Sequence, residues 1–291
     1  MEFDDVSFDK AQALFLGQDS ERLIACLAGL NLGAPVEDDQ ALSIVEAMGW
    51  ILPGTRTLTG FGWLVSDSCR EYKFWVERQR RLPFLGFTEA LTETAFHGKA
   101  VLEIGAGMGA NLMSLSPLVK SVEGLEPVAI YRQMGAILRQ REGLPAARHG
   151  PGRAEALPHA DGSFDTVLLV SAHQYMELAP AFAEAARVLR PGGELILVGG
   201  VLGKFMRKVM SDLPRKPSVI RPGLVTLVNT LGYMALGHRV VAARSGTTTS
   251  RPIYPLASSI CRLLRDVGLT VTVPGAVLSD ERLFRATKPL N

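Results

Sequence analysis

Three glycines at alternate positions, Gly105, Gly107 and Gly109, follow the short apolar run Val101–Ile104, whose one acid is Glu103. A strand that runs into such a turn and then into helix-compatible residues (Ala110, Leu112, Met113, Leu115) lets a ligand lie against bare backbone. Glycine has no Cβ and adopts φ values that other residues avoid. The pattern gains meaning from Glu126, 21 positions after Gly105 and at the end of the next predicted strand. A carboxylate there can accept both hydroxyls of a ribose, which points to a nucleoside cofactor. Dinucleotide sites use G-x-G-x-x-G, opening a helix onto a pyrophosphate. Here the third glycine is Gly109, and Glu103, two residues before the turn, suits a cationic amine better than a phosphate. The cofactor chemistry that fits these residues is that of S-adenosylmethionine.

The elements that must hold this turn are those of a parallel α/β sheet, running from Lys99 to about Gly200. Strands are predicted at Ala100–Ile104, Ser121–Leu125, Thr166–Val170 and Glu194–Val198, with helices at Ala110–Leu115, Ile130–Arg141 and Pro180–Leu189. Prolines 127, 145, 151 and 158, the Asp161-Gly162 turn and Pro191-Gly192-Gly193 fall between them. Asp165 reads as the group that fixes the entry to its strand, and Pro191-Gly192 fits a type II turn. After Gly200 the alternation stops for about fifty residues. It resumes with a helix at Leu256–Val267 and strands at Leu269–Val273 and Leu283–Thr287. The interruption, 201–255, reads as a lid insertion containing a mostly apolar helix at Leu224–Leu236, because α/β proteins place substrate covers at the carboxyl ends of strands.

The runs E-x-G-x-G-x-G at Glu103–Gly109, L-E-P at Leu125–Pro127, A-E-A-L-P with D-G-S-F-D at Ala154–Asp165, and L-R-P-G-G-E-L at Leu189–Leu195 occur in this order. Together they resemble the class I S-adenosylmethionine-dependent methyltransferases, most closely the ubiquinone/menaquinone-type small-molecule branch. The resemblance covers Lys99 to about Gly200 well, Leu256–Lys288 loosely, and the rest of the chain not at all. It implies a Rossmann-like α/β sheet with helices on both faces. It also implies that Gly105, Ala106, Gly107 and Gly109 pass close to the cofactor, that Glu103 helps to hold its amino group, and that Glu126, followed by Pro127, takes the ribose. Many members have an Asp before the alanine of the adenine loop; here that position is Arg153. The adenine contacts then fall to the backbone N–H of Ala154 and to Glu155.

Ser171, His173 and Tyr175 follow the strand at Thr166–Val170, at the sheet edge where the methyl group should point. Ser171 is placed to line the cofactor and Tyr175 to meet the acceptor. His173 is the candidate general base for a hydroxyl acceptor, since an imidazole titrates near neutrality. Within the insertion, Tyr233, His238 and Tyr254 are the candidate substrate-binding residues.

Residues 1–85 read as a separate helical module with a small hairpin at Pro53-Gly54, similar in outline to a winged helix, and 86–291 as the methyltransferase domain. The helix in the recognition position, Asp39–Met48, holds acids and no Lys or Arg, so nucleic acid is disfavoured as a partner. A cap or dimerisation role suits the module better, and a homodimer is compatible with it. Between Lys204 and Arg251 nine bases face Asp212 alone, which suits an anionic substrate or peripheral contact with a membrane. Cys26, Cys69 and Cys261 are far apart with no metal-like spacing, so no metal site is expected; with the acidic amino terminus they suggest a cytoplasmic protein. The expected activity is methyl transfer to a small or medium organic acceptor, at oxygen before nitrogen or carbon, in a biosynthetic or tailoring role. The alternatives are a membrane-associated enzyme acting on a lipid-like acceptor of quinone or isoprenoid type, or a nucleoside-cofactor-binding protein or NAD oxidoreductase without methyl transfer.

Overall fold

Asp4, Asp38 and Thr59 each set a side-chain oxygen on a backbone N–H three residues later, at 2.7, 3.0 and 3.0 Å. Helices α1 (Asp5–Leu16), α3 (Asp39–Ala47) and α4 (Gly60–Glu77) therefore start where the sequence supplies a cap. Between them α2 (Ser20–Leu32) ends on Gly33 in the left-handed conformation, at φ 68°. The hairpin expected at Pro53-Gly54 is reduced to one antiparallel bridge, Ile51 to Leu58. The computed structural model describes residues 1–82, 91–144, 147–214, 220–241, 251–278 and 281–290. The expected boundary at 85/86, Pro145 and parts of the 201–255 insertion lie outside those residues.

The chain forms two compact units, the first made of residues 1–83, 106–118 and 122–151. Helices α1–α4 share one core there with α5 (Ala110–Leu115) and α6 (Ala129–Arg141): Phe15, Leu27 and Trp50 belong to the same buried cluster as Met113, Ile130 and Met134. Phe15 and Trp50 stack at 5.9 Å, and Trp75 Nε1 donates to Ser114 Oγ at 2.8 Å. A Cβ on Gly62 would lie 1.8 Å from the Trp50 carbonyl oxygen, so α4 can run this close to Trp50 only with glycine at that position. This unit also holds most of β2 (Ser121–Leu125) and β3 (Arg148–Gly150), paired in parallel with Gly124 opposite His149.

The second unit comprises residues 84–105, 119–121 and 152–291. Its strands run β1 (Ala100–Ile104), β4 (Phe164–Val170), β5 (Leu189–Gly199), β7 (Glu281–Thr287) and β6 (Thr270–Leu278) across the sheet. The first three are parallel, with Leu102 opposite Val167 and Leu168 opposite Ile196; β7 lies antiparallel to both β5 and β6. All five residues of β1 are buried, as a strand covered on both faces requires. The register between β4 and β5 shifts where Phe164 pairs with Leu189 and Thr166 with Glu194, because Arg190–Gly193 bulge out as a turn with Gly192 at φ 76°. Asp165 accepts the Ala100 N–H at 2.8 Å and pairs with Arg190 at 2.6 Å, tying β1 to the start of β4. Helix α7 (Leu178–Val188) precedes β5 and α10 (Ala257–Asp266) precedes β6. The insertion after β5 contains α9 (Ile220–Leu236), longer than the expected Leu224–Leu236, and a helix not anticipated, α8 (Leu202–Asp212). The seven strands make the mixed sheet of a Rossmann-like, class I methyltransferase fold.

Candidate functional site

In the first unit the glycine turn is held by backbone bonds. The Ala106 N–H reaches Leu125 O at 3.1 Å, and Gly109 N–H reaches Ala106 O at 2.8 Å. Gly107 and Gly109 have φ of 56° and 86°, where a side chain would be strained. Glu126, only 6% exposed, sits at the end of β2 and accepts two N–H bonds, from Gly107 on Oε2 at 3.1 Å and from Val128 on Oε1 at 2.8 Å. Burial pushes its carboxyl above the usual range, and these N–H groups and Arg132 pull it partly back. Each oxygen keeps one further acceptor direction, which is what two ribose hydroxyls need. Pro127 beside it is exposed. Behind the turn, a Cβ on Gly135 would lie 2.1 Å from Met108 O, so α6 supports the loop backbone directly. His149 lies there too, its Nδ1 3.4 Å from Arg139, and burial with the nearby Arg139 and Arg132 lowers its pKa to about 3.

Two acids of α4 join this half of the site, and neither was anticipated. Glu71 Oε2 lies 4.0 Å from the point a Gly107 Cβ would occupy, and Asp67 accepts the Tyr131 hydroxyl at 2.9 Å. Their signal in the sequence is an i, i+4 spacing that puts both carboxylates on one helix face. Arg70 pairs with both, at 2.8 Å to Asp67 and 3.2 Å to Glu71.

In the second unit, Glu103 is 1% exposed on β1, opposite Leu168. Gly105, at φ 73°, lets the turn touch the chain after β4: a Cβ there would meet Ala172 Cβ at 2.5 Å. Ser171 is exposed and has φ 51°, held by its N–H bond to Val198 O at 2.7 Å. A non-glycine residue kept in this region at a strand end is the kind of strain that marks functional sites. On the adenine loop Ala154 is buried, and Glu155 is already engaged: Oε1 accepts the Glu177 N–H at 2.8 Å and Oε2 lies 3.4 Å from Arg153.

Three of the expected site residues are engaged within the fold. His173 is wholly buried, its Nε2 3.0 Å from Gly200 O and its ring against Gly199, where a Cβ would lie 2.3 Å from Cε1. Burial lowers its pKa to about 4. A base must reach the proton that it removes; an imidazole with no exposed edge instead fixes the post-β4 segment against the end of β5. Tyr233 is 7% exposed, and its hydroxyl accepts the Leu178 N–H at 2.7 Å, capping α7 rather than meeting an acceptor. His238 is exposed, with Nδ1 3.1 Å from Leu236 O at the end of α9, so it closes a helix. Tyr254 stacks on Phe205 at 4.8 Å, with its ring edge 3.1 Å from the Cβ position of Gly200, and so lies over the end of β5. Tyr175 is 42% exposed just after β4.

The residues fit an adenosine-containing cofactor on this structure's own terms. The turn lacks a Cβ at Gly105, Gly107 and Gly109, and a buried carboxylate is pinned with one acceptor direction free on each oxygen. Residues 102–197 match the protein family described as the methyltransferase domain. Among relatives, the chain is 34% identical over 99 residues to the uncharacterized methyltransferase YcgJ of Bacillus subtilis, covering 34% of this chain and 39% of that protein. It is 39% identical over 108 residues to phthiotriol/phenolphthiotriol dimycocerosates methyltransferase 1 of Mycobacterium ulcerans, covering 36% of this chain and 39% of that one. The matched segment thus spans about two fifths of the length of these curated relatives. Among solved structures, a chain of the complex between the Haloferax volcanii Trm112 methyltransferase activator and a methyltransferase aligns with a TM-score of 0.50 at 16% identity. That alignment covers 79% of this chain and 98% of that one, a likeness of fold. The segment 102–197 is thus similar to a methyltransferase domain.

Proposed function

We propose that the chain is an S-adenosylmethionine-dependent methyltransferase that acts on a small or medium organic acceptor, at oxygen, in a biosynthetic or tailoring role. The observation that carries this is Glu126, buried and bonded to the N–H groups of Gly107 and Val128, with acceptor capacity left for two hydroxyls. When bound, the cofactor would supply an electrophilic methyl on a sulfonium that leaves as a neutral thioether, and a hydroxyl acceptor would give up its proton to solvent. The chain's part is positioning, which in favourable cases contributes about 7–11 kcal/mol. Within the first unit Glu126 would orient the ribose, Gly107 would let the backbone approach, and Glu71 would favour a cationic ligand. With His173 buried, no histidine is assigned as base.

A lipid-like acceptor is the second reading. It is favoured by the exposed apolar residues Ile220, Leu224, Val228 and Leu231 of α9 and is consistent with a relative whose name specifies phthiotriol dimycocerosates. Among the described residues no helix is long and apolar enough to cross a membrane. Cys26, Cys69 and Cys261 are buried free thiols, in keeping with a cytoplasmic site of action. Calorimetry with S-adenosylhomocysteine and with NAD tests the cofactor, and labelled methyl transfer into host extract with identification of the product tests the acceptor. Binding of S-adenosylhomocysteine and a labelled product are expected; tight NAD binding with no response to S-adenosylhomocysteine would overturn the proposal.

A further inference from the structure

Helix α9 is built inside out. Its buried residues are Thr226, Asn229, Thr230 and Tyr233, while Ile220, Leu224, Val228, Leu231 and Leu236 are between 47% and 61% exposed. The first set recurs at i, i+3, i+4, i+7, and Ile220, Leu224, Val228 and Leu231 of the second at i, i+4, i+8, i+11, so these two groups lie on opposite faces of one helix, with Leu236 at its end outside the stripe.

The inward face is polar because it is spent on neighbouring backbone. Asn229 donates to Val241 O at 3.1 Å and accepts Val241 N–H at 2.7 Å. Thr230 Oγ1 accepts Tyr254 N–H at 3.0 Å and donates to Thr226 O at 2.8 Å. Tyr233 accepts from Leu178, as described. Asn229, Thr230 and Tyr233 therefore each have a partner within their own unit, and the apolar stripe is left facing out. Turning the helix over to bury the stripe would strand those backbone groups, so the outward stripe is fixed by the fold.

The flank of this stripe is basic. On α8, Arg207, Lys208 and Met210 are exposed, and α8 meets α9 where Val209 lies 3.4 Å from the Cβ position of Gly223. Arg221 is exposed in the first turn of α9. We infer that the outer face of α9, with the basic residues of α8, seats the protein on the surface of an anionic bilayer. An apolar stripe lying in the headgroup boundary, with cations beside it, is the chemistry of an interfacial helix. At 17 residues α9 lies along the surface and does not span the bilayer.

The inference does not rest on the methyl-transfer reading, and its test separates the two. The full chain is sedimented with vesicles of phosphatidylcholine alone and of phosphatidylcholine with phosphatidylglycerol, at low and high salt. Binding to the anionic vesicles only, weakened by salt, is expected. The double substitution Leu224→Glu/Leu231→Glu, at half-exposed positions, should lower the vesicle partition coefficient by about tenfold or more. Arg207→Glu and Arg221→Glu should each lower it about fivefold. All these variants should bind S-adenosylhomocysteine within about twofold of the parent, because none touches the cofactor turn. Absence of binding to anionic vesicles at low salt would overturn the inference and leave the cofactor assignment intact. So would unchanged binding by the Leu224/Leu231 variant, or light scattering that shows a dimer which that variant dissociates, since a second copy would then cover the stripe.

Discussion

Replacing Glu126 by Gln tests the cofactor assignment at the group that carries it. The two carboxylate oxygens hold the Gly107 and Val128 N–H groups at 3.1 and 2.8 Å. In the amide one oxygen becomes NH2, so one of those N–H groups faces a donor, and one ribose hydroxyl loses its acceptor. A hydrogen bond to a charged group contributes about 1.5–3 kcal/mol, so calorimetry should show S-adenosylhomocysteine binding weakened about tenfold to a hundredfold. The pH dependence adds a second readout. Glu126 is held above the ordinary glutamate value by burial, which in solution is about 4.3. In the ligand-free fold it therefore contributes stability below that ordinary value and loses it as pH rises through the raised folded-state pKa. Ribose hydroxyls donate to the ionised form, so affinity should fall as pH drops through the raised pKa, and this dependence should vanish in Glu126→Gln. Unchanged affinity in the variant, or a parent whose affinity stays flat across acid pH, would refute the assignment.

Gly105→Ala places a Cβ 2.5 Å from Ala172 Cβ at φ 73°; a melting temperature lowered by the equivalent of about 1–2 kcal/mol, with weaker S-adenosylhomocysteine binding, is expected. Glu71→Gln removes a charge that is 45% exposed beside Gly107. It should weaken S-adenosylmethionine by about twofold to fivefold and the neutral-thioether product less, and equal loss for both ligands in calorimetry would count against a charge role. His173 and His149 have folded pKa values near 4 and 3, below an unfolded value of about 6.5. Stability to urea should thus fall by about 1.4 kcal/mol per pH unit for each as pH drops below that unfolded value. The same slope in a His149→Gln/His173→Asn variant would show that neither histidine is responsible.

The parallel strands, the turn and the buried acid after β2 were legible because their signals are local. An apolar run ending in glycines, an acid at the end of the next strand and a proline-glycine bulge each fix backbone within a few residues, and Asp165 sits on the Ala100 N–H as its place at a strand start suggested. What was misread depends on long-range packing. His173 reads as a base from its position after β4, but Gly199, 26 residues on, lets its ring fill the interior. Tyr233 reads as a substrate contact because nothing nearby in sequence shows that the Leu178 amide needs a partner. Glu71 and Asp67 fall within a helix assigned to a separate module, and only the core that α4 shares with α6 brings them to the turn. The short strand β3 has only three residues, too few for any period to show.

The capping of α7 has a consequence for the movement of α9. No side chain of its own first turn caps this helix. Its Glu177 and Leu178 amides are held by Glu155 and by Tyr233 of α9, and Arg239 adds bonds to the carbonyls of Gln174 at 3.1 Å and Met176 at 2.9 Å. Lifting α9 would leave the buried Leu178 amide without an acceptor, which costs about 1–3 kcal/mol before any other contact is counted. Within the described residues α9 is thus tied to α7, and any opening between them carries that cost. Hydrogen exchange at the Leu178 amide counts every such opening.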